Sequence, residues 1–235
     1  MKKILFILLF SHFISTEGLG QKSLFTAGFH FSPTLLSDYF NGGEAFSSVE
    51  GMEFRTFQQF GYSAGMVIRK GITKTLAFET GLTFTQRNYR LQIDSTTGNF
   101  RQEMTYRIVG YELPIRGLFM IQASDFSYFM AGLGVSLDLF PSDVYSRTET
   151  WQHETVRYSW ITGGVIANLG WEYRSRQSGI FYVGFRFHQP FGNIYLSKIG
   201  EVGDPLVTSS MDLSGTFLSL DFAYYFPMKK SRMDK

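Results

Sequence analysis

The sequence predicts an all-β chain, closed as an eight-stranded antiparallel up-and-down transmembrane β-barrel. Three observations predict it. The last segment alternates cleanly, with Leu218, Leu220, Phe222, Tyr224 and Phe226 on one face and Ser219, Asp221, Ala223 and Tyr225 on the other, which is the two-residue period of a strand. Similar alternation recurs in about eight segments, joined by connections that are long and short in turn. The bulkier face is the apolar one. A strand-only chain with such a face suits lipid, where closure satisfies every backbone group.

The N-terminus reads as a secretory signal over 1–20, ahead of a barrel domain over 21–235. Lys2 and Lys3 form a positive start, an apolar run follows from Ile4, and Gly18-Leu19-Gly20 offers small residues for cleavage before Gln21. The apolar run is too short for a membrane-spanning helix, which needs roughly 20 apolar residues.

Strands are then expected over 23–32, 58–69, 75–90, 103–120, 126–140, 155–173, 179–190 and 214–226. In the second, Phe60, Tyr62, Met66 and Ile68 oppose Gly61, Ser63 and Gly65. The third sets Leu76, Phe78, Leu82 and Phe84 against Glu79, Gly81 and Thr83, and the fourth sets Tyr111, Leu113, Ile115 and Phe119 against Glu112 and Arg116. The fifth to seventh repeat the contrast, as in Leu133, Val135 and Leu137 against Gly134, Ser136 and Asp138. Short connections fall near 69–75, 121–126 and 174–179, and long ones at 33–57, 91–102, 141–154 and 191–213. With both termini on the short-turn side the strand count must be even, and eight closes the pattern. Pro114 removes a ladder donor, so a bulge or a local gap in pairing is expected there.

Composition narrows the class. A net charge of +2 gives no basic stripe for nucleic acid. Cysteine is absent, which excludes disulfides, thiolate metal sites and a lipoprotein anchor. The competing architecture is a lipocalin-like soluble barrel, apolar inside and wet outside. Against it, the polar face is rich in glycine, which suits a crowded lumen. Lysine, common on soluble sheets, falls in the signal, at Lys22, in or beside connections at Lys70, Lys74 and Lys198, and in the tail. Turning the bulky face to lipid keeps charges off the bilayer, where a mid-depth Arg costs about 2–4 kcal/mol.

That orientation sends Arg69, Glu79, Glu112, Arg116, Asp138, Glu172, Arg186 and Asp221 inside the barrel or near its rims. Buried charges must pair, so a luminal ion network is expected, with Glu79, Glu112, Glu172 and Asp221 facing Arg116 and Arg186. Such a cluster can serve as a proton path or a catalytic carboxylate pair. In a barrel barely wide enough for its own side chains, a plug of salt bridges is the expected role, and a diffusion pore is not. His30-Phe31-Ser32 places an imidazole and a hydroxyl on one strand face, expected at the outer rim. Lipid A deacylases of the outer membrane use a His and a Ser on a barrel wall, so a lipid-modifying esterase is the alternative activity. It requires a carboxylate within hydrogen-bond reach of His30. No phosphate loop, nucleophile elbow or metal-ligand motif appears, and no cofactor is expected. The long connections, mixing aromatics with Gly, Glu and Asp, are the expected recognition loops.

The run Val109-Gly110-Tyr111-Glu112-Leu113-Pro114-Ile115-Arg116-Gly117-Leu118-Phe119 resembles the hydrophobic–Glu–Ile/Leu–Pro–hydrophobic strand of the PorT-like outer-membrane β-barrel family of Bacteroidetes. The signal ending before Gln21, the eight-strand spacing and the final Tyr225-Phe226 are similar to that family too, although a charged tail extends past Phe226. The resemblance implies an integral, non-enzymatic outer-membrane barrel that contacts outer-membrane lipids. It implies a role in anchoring surface loops or as an accessory in the envelope, since some PorT-like members are linked to type IX protein secretion and gliding.

Overall fold

The computed structural model describes residues 25–37, 40, 44–98, 100–175, 177–203 and 208–227. The expected signal over 1–20 and the tail over 228–235 lie outside them. Thirteen strands and no helix occur among the described residues. Eight form the ring: β1 (Phe25–Leu35), β3 (Met52–Gly71), β4 (Leu76–Ser95), β5 (Arg101–Ser124), β6 (Ser127–Leu139), β9 (Ile161–Ser175), β10 (Gly179–Pro190) and β13 (Phe217–Tyr225). Five short strands lie between them: β2 (Ala45–Val49), β7 (Val144–Arg147), β8 (Trp151–Arg157), β11 (Tyr195–Glu201) and β12 (Ser209–Leu213).

Every pairing in the ring is antiparallel, and β1 closes it by pairing with β13 on one side and β3 on the other. The faces are those of a membrane barrel. Phe29, Leu133 and Leu169 stand half to two-thirds exposed on the outer wall while Glu79, Glu112 and Arg186 are buried inside, the reverse of a lipocalin. Outward apolar residues in β9 run from Ile161 to Tyr173, which spans about 28 Å of bilayer at the usual strand rise and a tilt of about 45°. Aromatic rows mark both boundaries. Phe31, Tyr62, Phe84 and Tyr111 touch in sequence at about 6 Å toward the outer side. Phe129–Trp171, Phe181–Tyr224 and Phe29–Phe226 pairs stand toward the short turns.

Glycines on the inner wall act as slots. A Cβ on Gly184 or Gly170 would sit 2.3 or 2.7 Å from the Tyr182 hydroxyl, and one on Gly132 would sit 2.1 Å from Asn168 Oδ1. Side chains from the same strand or a neighbouring one occupy the space these residues leave.

The structure revises the expected strand limits and the long connections. β4 and β5 run on as a ladder to Asp94↔Arg101, so most of 91–102 is strand. The predicted strand over 155–173 is two elements, β8 and β9, separated near Tyr158 to Trp160. The other long connections are largely strand as well. β2 and β3 join through Glu50 and Gly51, with φ of 49° and 78°, the two left-handed residues of a type I′ hairpin. β7, β8, β11 and β12 make a second sheet in the order β12-β11-β8-β7. It lies over the upper parts of β2 to β5, with β12 against β2 and β7 against β5. Phe54, Leu91, Ile93, Ile108, Trp151 and Met211 are buried between the two sheets. The connections therefore build a sandwich above the barrel, because each alternates and has an apolar face to bury. At Pro114 the β4–β5 ladder breaks between Thr80↔Ile115 and Thr83↔Glu112 without a change of register. Thr80 Oγ1 fills the gap by donating to the Pro114 carbonyl at 2.8 Å. Register shifts lie elsewhere, between Gln59 and Tyr62 of β3 and between Gln122 and Ser124 of β5.

Candidate functional site

The lumen is lined by inward residues of all eight ring strands, and its charged groups form three tiers. Nearest the short turns, Arg69 of β3 donates from Nε to Glu79 Oε2 at 2.9 Å, and also to Glu172 and to the Tyr225 hydroxyl. Glu79 accepts from Arg116 through its other oxygen and from Tyr225 Oη at 2.5 Å. Arg174 at the rim donates to Glu172 at 2.6 Å. An apolar floor of Val67, Leu118, Met120, Met130 and Ile180 packs around this tier.

In the middle tier Ser32 Oγ donates to Asp221 Oδ1 at 2.6 Å. His30 places Nδ1 3.2 Å from Ser32 Oγ and Nε2 3.0 Å from Thr83 Oγ1. In the upper tier Glu112 receives Arg186 at 2.6 Å, Arg87 at 3.4 Å and Thr85 at 2.7 Å. Asp138 lies 3.0 Å from His188 Nε2, which also faces Ser136 Oγ at 3.1 Å. Above them Arg87 lies over the rings of Phe140 and Phe217, at 5.7 and 5.0 Å, and spans the outer mouth as a cation–π lid.

Glu79, Glu112, Arg116, Glu172 and Arg186 thus meet carboxylate to guanidinium. Asp221 faces His30 instead of the expected arginines, and Asp138 faces His188. Sequence reasoning missed Arg87, Tyr225 and the two histidines as members of the cluster. Arg87 carried a signal, since it continues the inward row Glu79, Thr83 and Thr85 of β4. The histidine–aspartate meetings carried none, because they join β1 to β13 and β10 to β6 across sequence separations that alternation cannot see.

His30 and Ser32 differ from their expected setting. Both are buried on the luminal face at mid-barrel, opposite Gly65, Ser63 and Ala223, not at the outer rim. Asp221 Oδ1 lies 3.7 Å from His30 Nδ1, beyond a hydrogen bond, and takes the serine proton itself. An acyl-transfer triad needs that proton aimed at the imidazole.

Glu112, Asp138 and His188 could each turn one donor atom to a shared metal, within 4.8 Å of one another. Both Glu112 oxygens, however, already hold guanidinium or hydroxyl donors, and Asp138 Oδ2 holds His188. Two arginines beside the cluster oppose a divalent cation. The residues fit an ion-paired plug better than a metal centre.

The sandwich contains one further titratable group of note. His153 of β8 is buried, with Nε2 2.8 Å from Ser197 Oγ and its ring 4.3 Å from that of Tyr106. Burial lowers its pKa to about 4. Tyr106 in turn stacks on Tyr89 at 5.4 Å, and burial raises the pKa of both hydroxyls.

No protein-family model matches the chain, and no curated protein matches its sequence. Among solved structures, the outer membrane protein OprG from Pseudomonas aeruginosa matches at TM-score 0.53 and 12% identity, over 87% of this chain and 95% of that one. The β domain of the Bordetella autotransporter Brka matches over 87% of this chain and 98% of its own, at 12% identity and TM-score 0.29, too loose a superposition to argue from. The first likeness is one of fold: this chain is an outer-membrane-type β-barrel. The lipid-facing belt supplies the physical reason for placing that fold in the bacterial outer membrane.

Proposed function

We propose that the chain is a non-enzymatic outer-membrane barrel of PorT-like type, which anchors a folded surface sandwich and acts as an accessory in the envelope or in protein secretion. One observation carries the reading. The lumen is filled by three tiers of hydrogen-bonded charged and polar groups under the Arg87 lid, while the outer connections are ordered into a sandwich with its own core. A plugged barrel has little to offer a diffusing solute, whereas a rigid platform holding a preformed surface suits a binding partner. The run over 109–119 supports the PorT-like assignment within that class. The absence of a serine proton aimed at His30 favours a binding role over the esterase.

Affinity purification of the tagged chain from its native outer membrane tests the reading. It should retain an envelope or secretion protein, and that protein should be lost when β7, β8, β11 and β12 are replaced by short turns. Planar-bilayer recording supplies the second arm. Steady open-channel conductance would overturn the anchoring role.

A further inference from the structure

From 101 to 110, β5 is paired on one side only. β4 takes that side, and β6 joins the other edge from Tyr111 onward. β7 packs beside the open stretch without ladder pairing to it. A cleft of about 520 Å³ lies between them, and Gln59, Asn88, Tyr89, Thr105, Arg107 and Ser146 line it. Because the sheet edge is open here, residues of both its faces reach the cleft.

We propose that this cleft binds the phosphorylated saccharide headgroup of an outer-leaflet glycolipid. Its height is the first reason. Arg107 follows Val109 and Tyr111 outward along β5, and Asn88 follows Phe84 along β4. Phe84 and Tyr111 belong to the outer aromatic row, with rings 5.9 Å apart. At about 3.4 Å per residue and a tilt of about 45°, Arg107 stands roughly 10 Å above Tyr111, which is headgroup depth. The lining is the second reason. Side-chain amides, hydroxyls and an aromatic wall match the hydroxyls and faces of a sugar, and a guanidinium forks onto phosphate.

One group in the cleft awaits a partner. Arg101 and Arg90 of the same sheet pair with Glu103, but Arg107 is exposed and has no ionic partner among the described residues. Tyr89 contributes only to the wall of the cleft, since its hydroxyl is buried in the sandwich core. A phosphate at Arg107 supplies that partner, with the sugar against Gln59, Asn88 and Thr105. A soluble phosphorylated oligosaccharide presents the same chemistry, and the depth of the cleft favours the lipid-linked form.

The test uses the full folded chain in phosphatidylcholine nanodiscs. It is titrated with a diphosphorylated glucosamine-disaccharide glycolipid, with the dephosphorylated glycolipid, and with the phosphorylated disaccharide freed of its acyl chains. Saturable binding of the first is expected. Arg107→Gln should weaken it about tenfold, the scale of one charge-assisted contact, and Arg107→Lys should recover part of the loss. Thr105→Val, which removes an exposed hydroxyl from the lining, should weaken binding several-fold. Arg101→Gln, outside the cleft, should leave binding unchanged. Heat-modified migration on gels confirms that each variant is folded. The site is refuted if binding is not saturable, or if Arg107→Gln does not alter it. Equal affinity for the dephosphorylated glycolipid would refute the phosphate contact, and equal affinity for the free disaccharide would refute the lipid source.

Discussion

The barrel and the sandwich above it share β3, β4 and β5, yet they are inside out with respect to each other. Along β4 the inward residues are Glu79, Thr83, Thr85 and Arg87, and then Tyr89, Leu91 and Ile93. The outward residues pass from Leu76, Phe78, Leu82 and Phe84 to Gln86, Asn88, Arg90, Gln92 and Asp94. β5 makes the same exchange in reverse, with Met104, Tyr106 and Ile108 giving way to Glu112 and Arg116 on the inner side. Neither strand changes its alternation; the polarity of each face changes where lipid gives way to water. β3 reaches the same result with its bulge between Gln59 and Tyr62, which moves the inward positions from Phe54 and Thr56 to Gly61 and Ser63. The solvent outside the wall decides which face is greasy, and the core takes what remains.

The two cores should therefore fail differently. The largest effect is expected in the lumen. Glu112→Ala strands Arg87 and Arg186 without their carboxylate and should cost about 3–5 kcal/mol, read as loss of the whole barrel in urea unfolding from vesicles. In the sandwich, Leu91→Ala should cost about 2–5 kcal/mol. Its signature is selective: proteolysis should open the sandwich while heat-modified migration of the barrel persists. On the outer wall Leu133→Arg places a charge against lipid and should cost about 2–4 kcal/mol, whereas Arg107→Gln should change stability by less than about 0.5 kcal/mol.

Acid should separate the two regions without mutation. His153 is held neutral in the fold, with a pKa of about 4 against 6.5 when free. Between those values the unfolded sandwich binds a proton that the folded one does not, so stability rises with pH. The sandwich should lose up to about 3 kcal/mol as pH falls from 6.5 to 4, with no further loss from this group below that. Protease sensitivity followed across this range should show the loss, and His153→Gln should flatten it.

The same inversion explains what the sequence made legible. The ring strands could be read because their outward faces carry Phe, Leu and Val in period two, and because short turns such as 71–76 punctuate them. The lumen charges followed by elimination, since Glu79, Glu112, Arg116 and Arg186 alternate with residues that must face lipid. The sandwich was harder to read. Beyond residue 86 the greasy positions of β4 switch faces, so a search for one constant membrane-type face ends at 90 and takes 91–102 for a loop. β7, β8, β11 and β12 are short, from four to seven residues, and they pair with one another across long sequence separations that no local pattern reports. His30 and Ser32 were placed too far out for a related reason, because a tilted strand conceals depth.

The switch in β4 can be measured directly, since the chain has no cysteine and each introduced thiol is unique. A nitroxide scan over 76–95 in lipid vesicles reports whether each position meets oxygen dissolved in lipid or a nickel complex dissolved in water. Even positions from 76 to 84 should be accessible to oxygen, even positions from 86 to 94 to nickel, and odd positions to neither along the whole strand. Even positions that remained in lipid up to 94, or were already in water at 76, would contradict a barrel whose wall passes unbroken from membrane into the sandwich.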